Sequence, residues 1–284
     1  MKNILIFVSG HTNSKPAVKF GGLLASQTQS SVTLFTVIDD SHDLDGAYQT
    51  LDTAGWWIPD LDVSTSIRIG TEINSILEEI NHGNYDLIIL KARQAIQIKD
   101  FLKAKIGRRI AQQSPISVLV VKQEQSNLKR ILICTSGADI ADPVIEMGSW
   151  LAQSTLAKVT LLHVTGSIPS MYTGLDKIEE QLSEILKTDT PMARHLRHAV
   201  NIFVQKEVDA ELELRHGSVS DEILVEAQEG KFDLIMLGAS KASTNLAGWL
   251  IGDITHKIIN AARCPVLVVR KSKIQDEMKT KEDS

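Results

Sequence analysis

The residues best suited to chemistry in this 284-residue chain gather near its end. Ser240, Lys241, Ser243, Thr244 and Asn245 form a polar stretch just after an apolar run, Asp233–Leu237. Hydroxyls, an amide and one ammonium at a strand exit can hold a small polar ligand, because loops at strand ends line the crevices of open α/β sheets. The same polarity also suits a plain surface connection. His195 and His198 stand three apart in a helix-like segment and could face one metal ion. No third ligand lies near them in the sequence, and zinc needs three or four. A packed or solvated pair, and no metal site, is the expectation. His11 follows the first apolar run and could reach a cleft there. Ser9 and Ser136 end apolar runs without an identifiable base. There is no Gly-x-Ser-x-Gly elbow, His-Glu-x-x-His helix, paired-cysteine motif or Walker loop. The residues point to a protein that binds and does not catalyse.

Two other clusters stand out. Lys91, Arg93, Lys99, Lys103, Lys105, Arg108 and Arg109 crowd into one stretch, which reads as a solvated helix face. Trp56-Trp57 precedes Pro59. Aromatic side chains carry a large burial term, so packing over the core is expected ahead of a hydrophobic contact surface.

Composition narrows the class. Apolar residues make up 43% and charged residues 23%, ordinary for a globular protein with ample core. Net charge is −5, which argues against nucleic acid or anionic lipid as a general partner. Cys134 and Cys264 adjoin apolar runs and read as buried thiols in a reducing compartment. Ile4–Val8 is too short for a signal-peptide core, and no run reaches membrane-span length. A cytoplasmic location without membrane association is the expectation.

The elements that must position these residues occur twice. Lys2-Asn3-Ile4-Leu5-Ile6 matches Lys129-Arg130-Ile131-Leu132-Ile133. At the same offset, Ser9-Gly10 matches Ser136-Gly137, and Val32-Thr33-Leu34 matches Val159-Thr160-Leu161. Gly70, Tyr85-Asp86-Leu87-Ile88 and Val118–Val121 then match Gly217, Phe232-Asp233-Leu234-Ile235 and Val266–Val269. An insertion of about twenty residues between Thr165 and Leu214 accounts for the changed offset. The polar stretch Gln123–Asn127 marks the boundary, placing one module at 1–124 and another at 128–270. Residues 271–284 are charged, poor in apolar side chains, and read as a disordered tail.

Each half alternates strand and helix. In the second, strands are expected at Arg130–Thr135, Lys158–Val164, Glu211–Arg215, Asp233–Leu237 and Pro265–Val269. Helices are expected at Asp142–Ser154, Ser220–Gln228 and Ile254–Ala262. Asp142 before Pro143 reads as an N-cap followed by proline at the first helical position. Ile178, Leu182 and Ile185 place an amphipathic helix in the insertion. Continuous apolar runs such as Leu87–Leu90 suit parallel strands covered on both faces. Two doubly wound, five-stranded parallel α/β sheets in tandem follow.

These landmarks together resemble the universal stress protein family in its tandem two-domain form. The resemblance covers nearly the whole chain. It implies adenine-nucleotide-type modules, a role in stress response, and dimer-like pairing of modules through the last strand. That pairing makes an internal pseudo-dimer, with a homodimer of the whole chain also open. In one branch the resemblance implies ATP binding through Gly-x2-Gly-x9-Gly-Ser/Thr after the fourth strand, with a carboxylate at the end of the first. Glycines there let backbone N–H groups reach phosphate, and the last pair opens a helix whose N-terminus favours an anion.

The second half matches in part. Gly238 and Gly252 stand at the first and last glycine positions, one residue too far apart. Lys241 replaces the middle glycine, Asp253 the hydroxyl, and Ser136 the carboxylate. The candidate ligand cleft is therefore Ser136, Val164, Gly238, Ser240, Lys241, Gly252 and Thr255. In the first half Lys91, Gln94, Ala104, Lys105 and Ser9 occupy the motif positions, so no phosphate cradle is expected. No cofactor is firmly implied. ATP or another adenine nucleotide is the candidate, held weakly. Protein partners are the other candidate.

Overall fold

β-Branched and leucine-rich runs form the strands, and the amphipathic segments between them form the helices. The computed structural model describes residues 1–10, 13–92, 106–136, 142–166, 178–239 and 253–271. In the first module, β1 (Asn3–Phe7), α1 (Lys15–Thr28), β2 (Ser31–Ile38), α2 (Leu44–Gly55), β3 (Val63–Ile69), α3 (Glu72–His82), β4 (Leu87–Lys91), α4 (Ile106–Gln113) and β5 (Ser117–Val121) follow in order. The second repeats the plan with β6 (Arg130–Thr135), α5 (Asp142–Thr155), β7 (Lys158–Thr165), α6 (Ile178–Lys187), α7 (Pro191–Gln205), β8 (Ala210–His216), α8 (Val219–Glu229), β9 (Leu234–Gly238), α9 (Asp253–Ala261) and β10 (Val266–Val269). The inserted residues of the second module contain α6 and lead into α7. Leu182 and Ile185 of α6 are half-buried. The charged tail expected to be disordered at 271–284 lies, beyond Lys271, outside the described residues.

The strands form a single ten-stranded sheet in the order β3-β2-β1-β4-β5-β10-β9-β6-β7-β8. Within each module every pair is parallel. The two halves meet where β5 and β10 pair antiparallel, with Val118 opposite Val268, Leu119 opposite Leu267 and Val120 opposite Val266. The two expected five-stranded sheets are thus fused at their apolar edges, which leaves neither edge open for pairing with another chain. One face, built on Ile4, Ile6, Ile131 and Ile133, lies under α1, α2, α5 and α7. The other, built on Leu5, Phe7, Leu132 and Cys134, lies under α3, α4, α8 and α9.

The repeated residues have repeated jobs. Asp86 Oδ2 accepts from the backbone N–H groups of Lys2 and Asn3 at 2.6 and 3.1 Å. Asp233 Oδ2 does the same for Lys129 and Arg130 at 2.7 and 3.0 Å. Each carboxylate thus satisfies the orphan donors that open its module's first strand. Gly21 on α1 and Gly148 on α5 let the helices approach the sheet. A Cβ there would lie 2.5 Å from Ile6 Cδ1 and 2.2 Å from Ile133 Cδ1 respectively.

A second symmetry crosses the seam. Lys122, just beyond β5, donates through Nζ to the carbonyls of Asn260 and Ala262 at the end of α9, both at 2.6 Å. Arg270, at the matching position beyond β10, donates through Nη2 to the Ala111 carbonyl near the end of α4 at 2.6 Å. Each module therefore sends a cation to the C-terminus of the other's last helix, where carbonyls lack intrahelical partners.

Candidate functional site

Parallel strands point their C-terminal ends the same way, and the crevice opens where the chain leaves adjacent strands toward opposite faces. In the first module that point lies between β1 and β4, in the second between β6 and β9.

In the first module the described residues leave little room between the ends of β1 and β4. Lys91, the last residue of β4, turns its ammonium onto the carbonyls of Lys122 and Ala92, at 2.5 and 3.1 Å. Its burial pulls its pKa below the usual lysine value. The Ser9 backbone N–H donates to Ser14 Oγ at 3.0 Å. The space left among Phe7, Ser9, Ser14, Leu90, Lys91, Ile106 and Gly107 is about 10 Å³, room for about one water. This corrects the reading of Lys91 as part of a solvated basic face. Arg109 on α4 is exposed. Arg93, Lys99, Lys103 and Lys105, together with Gln94, Ala104 and His11, lie outside the described residues.

In the second module, register brings three of the candidate residues together. Thr135 pairs with His163, and Cys134 with Leu237. Ser136, Val164 and Gly238 therefore end three adjacent strands. Ser136 is exposed, and Val164 and Gly238 are half-buried. A Cβ on Gly238 would make only ordinary contact with Val144, at 3.8 Å. Thr255 is half-buried in the first turn of α9, which Asp253 opens, exposed to solvent. Ser240, Lys241 and Gly252 lie outside the described residues, as do Ser243, Thr244 and Asn245.

Beneath this edge, on the α5–α7 face, lies a polar cluster that sequence reasoning missed. His195 on α7 and Thr135 on β6 share a hydrogen bond of 2.7 Å between Nε2 and Oγ1. His163 Nδ1 lies 3.1 Å from the Thr135 carbonyl. The two imidazoles are 3% and 6% exposed, and burial holds the His163 pKa below the usual value. Thr165 and His216 are hydrogen-bonded beside them. His198 is exposed, so the expected histidine pair divides into one packed and one solvated ring. Among the described residues, no group of three or more His, Cys, Asp or Glu is placed to hold a metal.

The tryptophan pair also divides. Trp57 packs against the core, but Trp56 is 81% exposed at the end of α2. The expectation that both pack is therefore wrong for Trp56: consecutive residues at a helix end point apart. Trp57 borders a second opening in the first module. This cleft of about 360 Å³ lies between the end of β1, the start of α1 and α2. Sequence reading put a cleft at the end of β1 but did not foresee the α2 wall of this one. Both cysteines are buried. Burial pushes the thiol pKa of Cys134 far up and that of Cys264 to about 11, so neither is a ready nucleophile.

Two doubly wound modules fused through their last strands, each with a crevice at its switch point, define a tandem nucleotide-fold protein. Comparison with known proteins gives the family. The universal stress protein family model matches residues 1–122 and again 127–270, and the chain belongs to that family. It is 28% identical over 154 residues to a universal stress protein of Methanocaldococcus jannaschii, covering 54% of this chain and 89% of that protein. To one from Bacillus subtilis it is 27% identical over 146 residues, covering 50% and 98%. In fold it is similar to a universal stress protein of Archaeoglobus fulgidus, with a TM-score of 0.67 at 15% identity over 95% of this chain and 97% of that one. No helix among the described residues is long and apolar enough to cross a membrane.

Proposed function

We propose that this chain is a cytoplasmic regulatory member of the family, which senses a ligand by reversible binding and catalyses no reaction. The observation that carries this is the divergence of the two crevices. In the first, Lys91 stands where the motif has a glycine and is bonded to two carbonyls, while the second keeps Gly238 beside the ends of β6 and β7, with α9 following in the chain. A helix N-terminus favours an anion, which supports the alternative of an ATP-binding sensor with slow or no hydrolysis, using this second crevice. Asp253 opposes it, because a carboxylate opens α9 where a phosphate-binding hydroxyl would sit. Protein partners that read the occupied state complete the proposal, and nucleic acid and membrane are not among them.

Calorimetric titration with magnesium ATP, with ADP measured in the same samples, tests this reading. Weak binding without turnover is expected. Because Asp253 is exposed, solvent screens its charge, and Asp253→Ser should tighten binding by about fivefold. Tight binding by the native chain with no gain on substitution, or steady ADP release, counts against it.

A further inference from the structure

An opening of about 250 Å³ lies at the other end of the second module's sheet, between the last turns of α8 and α9 and the segment that follows β5. Phe232 and Cys264 in its wall precede β9 and β10, so β9, five residues long, separates it from the crevice at Gly238 by about 16 Å. We propose that it binds a small organic anion, a carboxylate or phosphate group joined to a short apolar body.

The wall gives the chemistry. Lys231 and Arg263 line the opening, and none of its described lining residues is acidic. A third cation, Arg130, stands with its guanidinium carbon 5.0 Å from the centre of the Phe232 ring. In a chain of net charge −5, a cleft of this one sign concentrates anions. The nearby carboxylates are engaged elsewhere. Asp233 is held by the Gln125 amide at 2.6 Å and by two backbone N–H groups. Glu124 pairs with Lys19 at 2.6 Å, and Glu229 with Arg215 at 2.8 Å. Both α8 and α9 end here, and a bare helix C-terminus repels an anion. These ends are covered. The carbonyls of Glu226, Ala227 and Gln228 accept from the N–H groups of Gly230, Phe232 and Lys231. Lys122 Nζ holds the carbonyls of Asn260 and Ala262 at 2.6 Å. The cationic side chains therefore set the sign. Ala227, Phe232, Ala262 and Cys264 are buried in the same wall and give the ligand's apolar body a surface to cover.

The first module is the internal contrast. Its matching opening is about 150 Å³. Asn84 and Pro115 stand there where the second module has Lys231 and Arg263. Its own cations, Arg270 and Lys271, share the wall with the Asp86 carboxylate. The basic pair is therefore not something the repeated fold requires. The proposal does not draw on the crevice at Ser136 and Gly238, so each can fail without the other.

The test titrates the whole chain with benzoate, phenyl phosphate, benzyl alcohol and inorganic phosphate separately. Saturation-transfer NMR reads affinity, and the shifts of labelled alanine methyls read position. Benzoate or phenyl phosphate should bind saturably with Kd of about 1 mM or tighter, shifting Ala227, Ala261 and Ala262. Benzyl alcohol lacks the charge and inorganic phosphate lacks the body, so each should bind at least about fivefold more weakly. Lys231→Asn with Arg263→Gln is the variant, since both side chains are exposed and asparagine suits the left-handed backbone of Lys231, at φ 50°. It should weaken the organic anion at least about fivefold, with the melting temperature checking the fold. Gln228→Glu, which adds a carboxylate to the wall, should weaken it as well. Binding of benzoate alone identifies a carboxylate site, and of phenyl phosphate alone a phosphate-ester site. Four results overturn the proposal: no saturable binding of either organic anion, shifted methyls that lie away from this opening, benzyl alcohol bound as tightly as benzoate, or full affinity in a folded variant.

Discussion

His163 shows what one buried side chain can impose. Its ring sits on β7 beside Thr135 and near His195, and desolvation keeps it neutral in the fold. In the unfolded chain the same ring takes up a proton as pH falls through its ordinary value of 6.5. The unfolded state therefore binds more protons below that point, and stability declines with falling pH until the folded ring also protonates. The urea midpoint should fall between about pH 7.5 and about pH 5.5, and His163→Gln should flatten that slope. An unchanged slope in a folded variant would mean that His163 is not the group responsible. Lys91 makes the complementary point: one long side chain at the position of the motif's first glycine is committed to two backbone carbonyls.

Among the elements, β5 and β10 carry the most weight, because they alone hydrogen-bond the two halves of the sheet. Lys122 and Arg270 reinforce that seam from opposite sides. Burial lowers the Lys122 pKa to about 8 and that of Arg270 to about 10. Arg270 is 3% exposed, so water cannot readily replace it at the Ala111 carbonyl. Arg270→Ala should cost about 2 kcal/mol of unfolding free energy, measured by urea denaturation. Lys122→Ala should cost less, because that side chain is nearer solvent. Equal, negligible costs would show that the helix ends need no partner across the seam. The edge strands carry another repeated pair. Arg68 on β3 meets Glu79 on α3 at 2.6 Å, and Arg215 on β8 meets Glu226 on α8 at 2.5 Å. An inward-pointing charge on each edge strand discourages pairing with another chain.

The whole molecule was legible in the sequence to the level of its modules and strands. Apolar runs of strand length, repeated in order, marked β6, β7 and β9 within a residue or so, because parallel strands buried on both faces leave that pattern. The pairing of the last strands was implied by the family resemblance, and their apolar character fits it. Features set by tertiary approach were not legible. Nothing in the run from Lys91 to Arg109 marks Lys91 as ending a strand and folding inward. Nothing adjacent to Trp57 announces a cleft, since its other wall comes from residues more than thirty positions earlier. The bond between Thr135 and His195 likewise joins residues far apart in the chain.

Hydrogen exchange of the whole chain, with and without ATP near saturation, tests the central claim most directly, since it reports on both modules at once. Slowed exchange around Ser136, Val164 and Gly238 is expected, at lower nucleotide concentration in Asp253→Ser than in the native chain. No change is expected around Phe7–Ser9 or Leu90–Lys91, where Lys91 replaces the motif's first glycine and little space is left. Protection of those first-module strand ends, or equal protection of both crevices, would contradict the division of roles between the two halves.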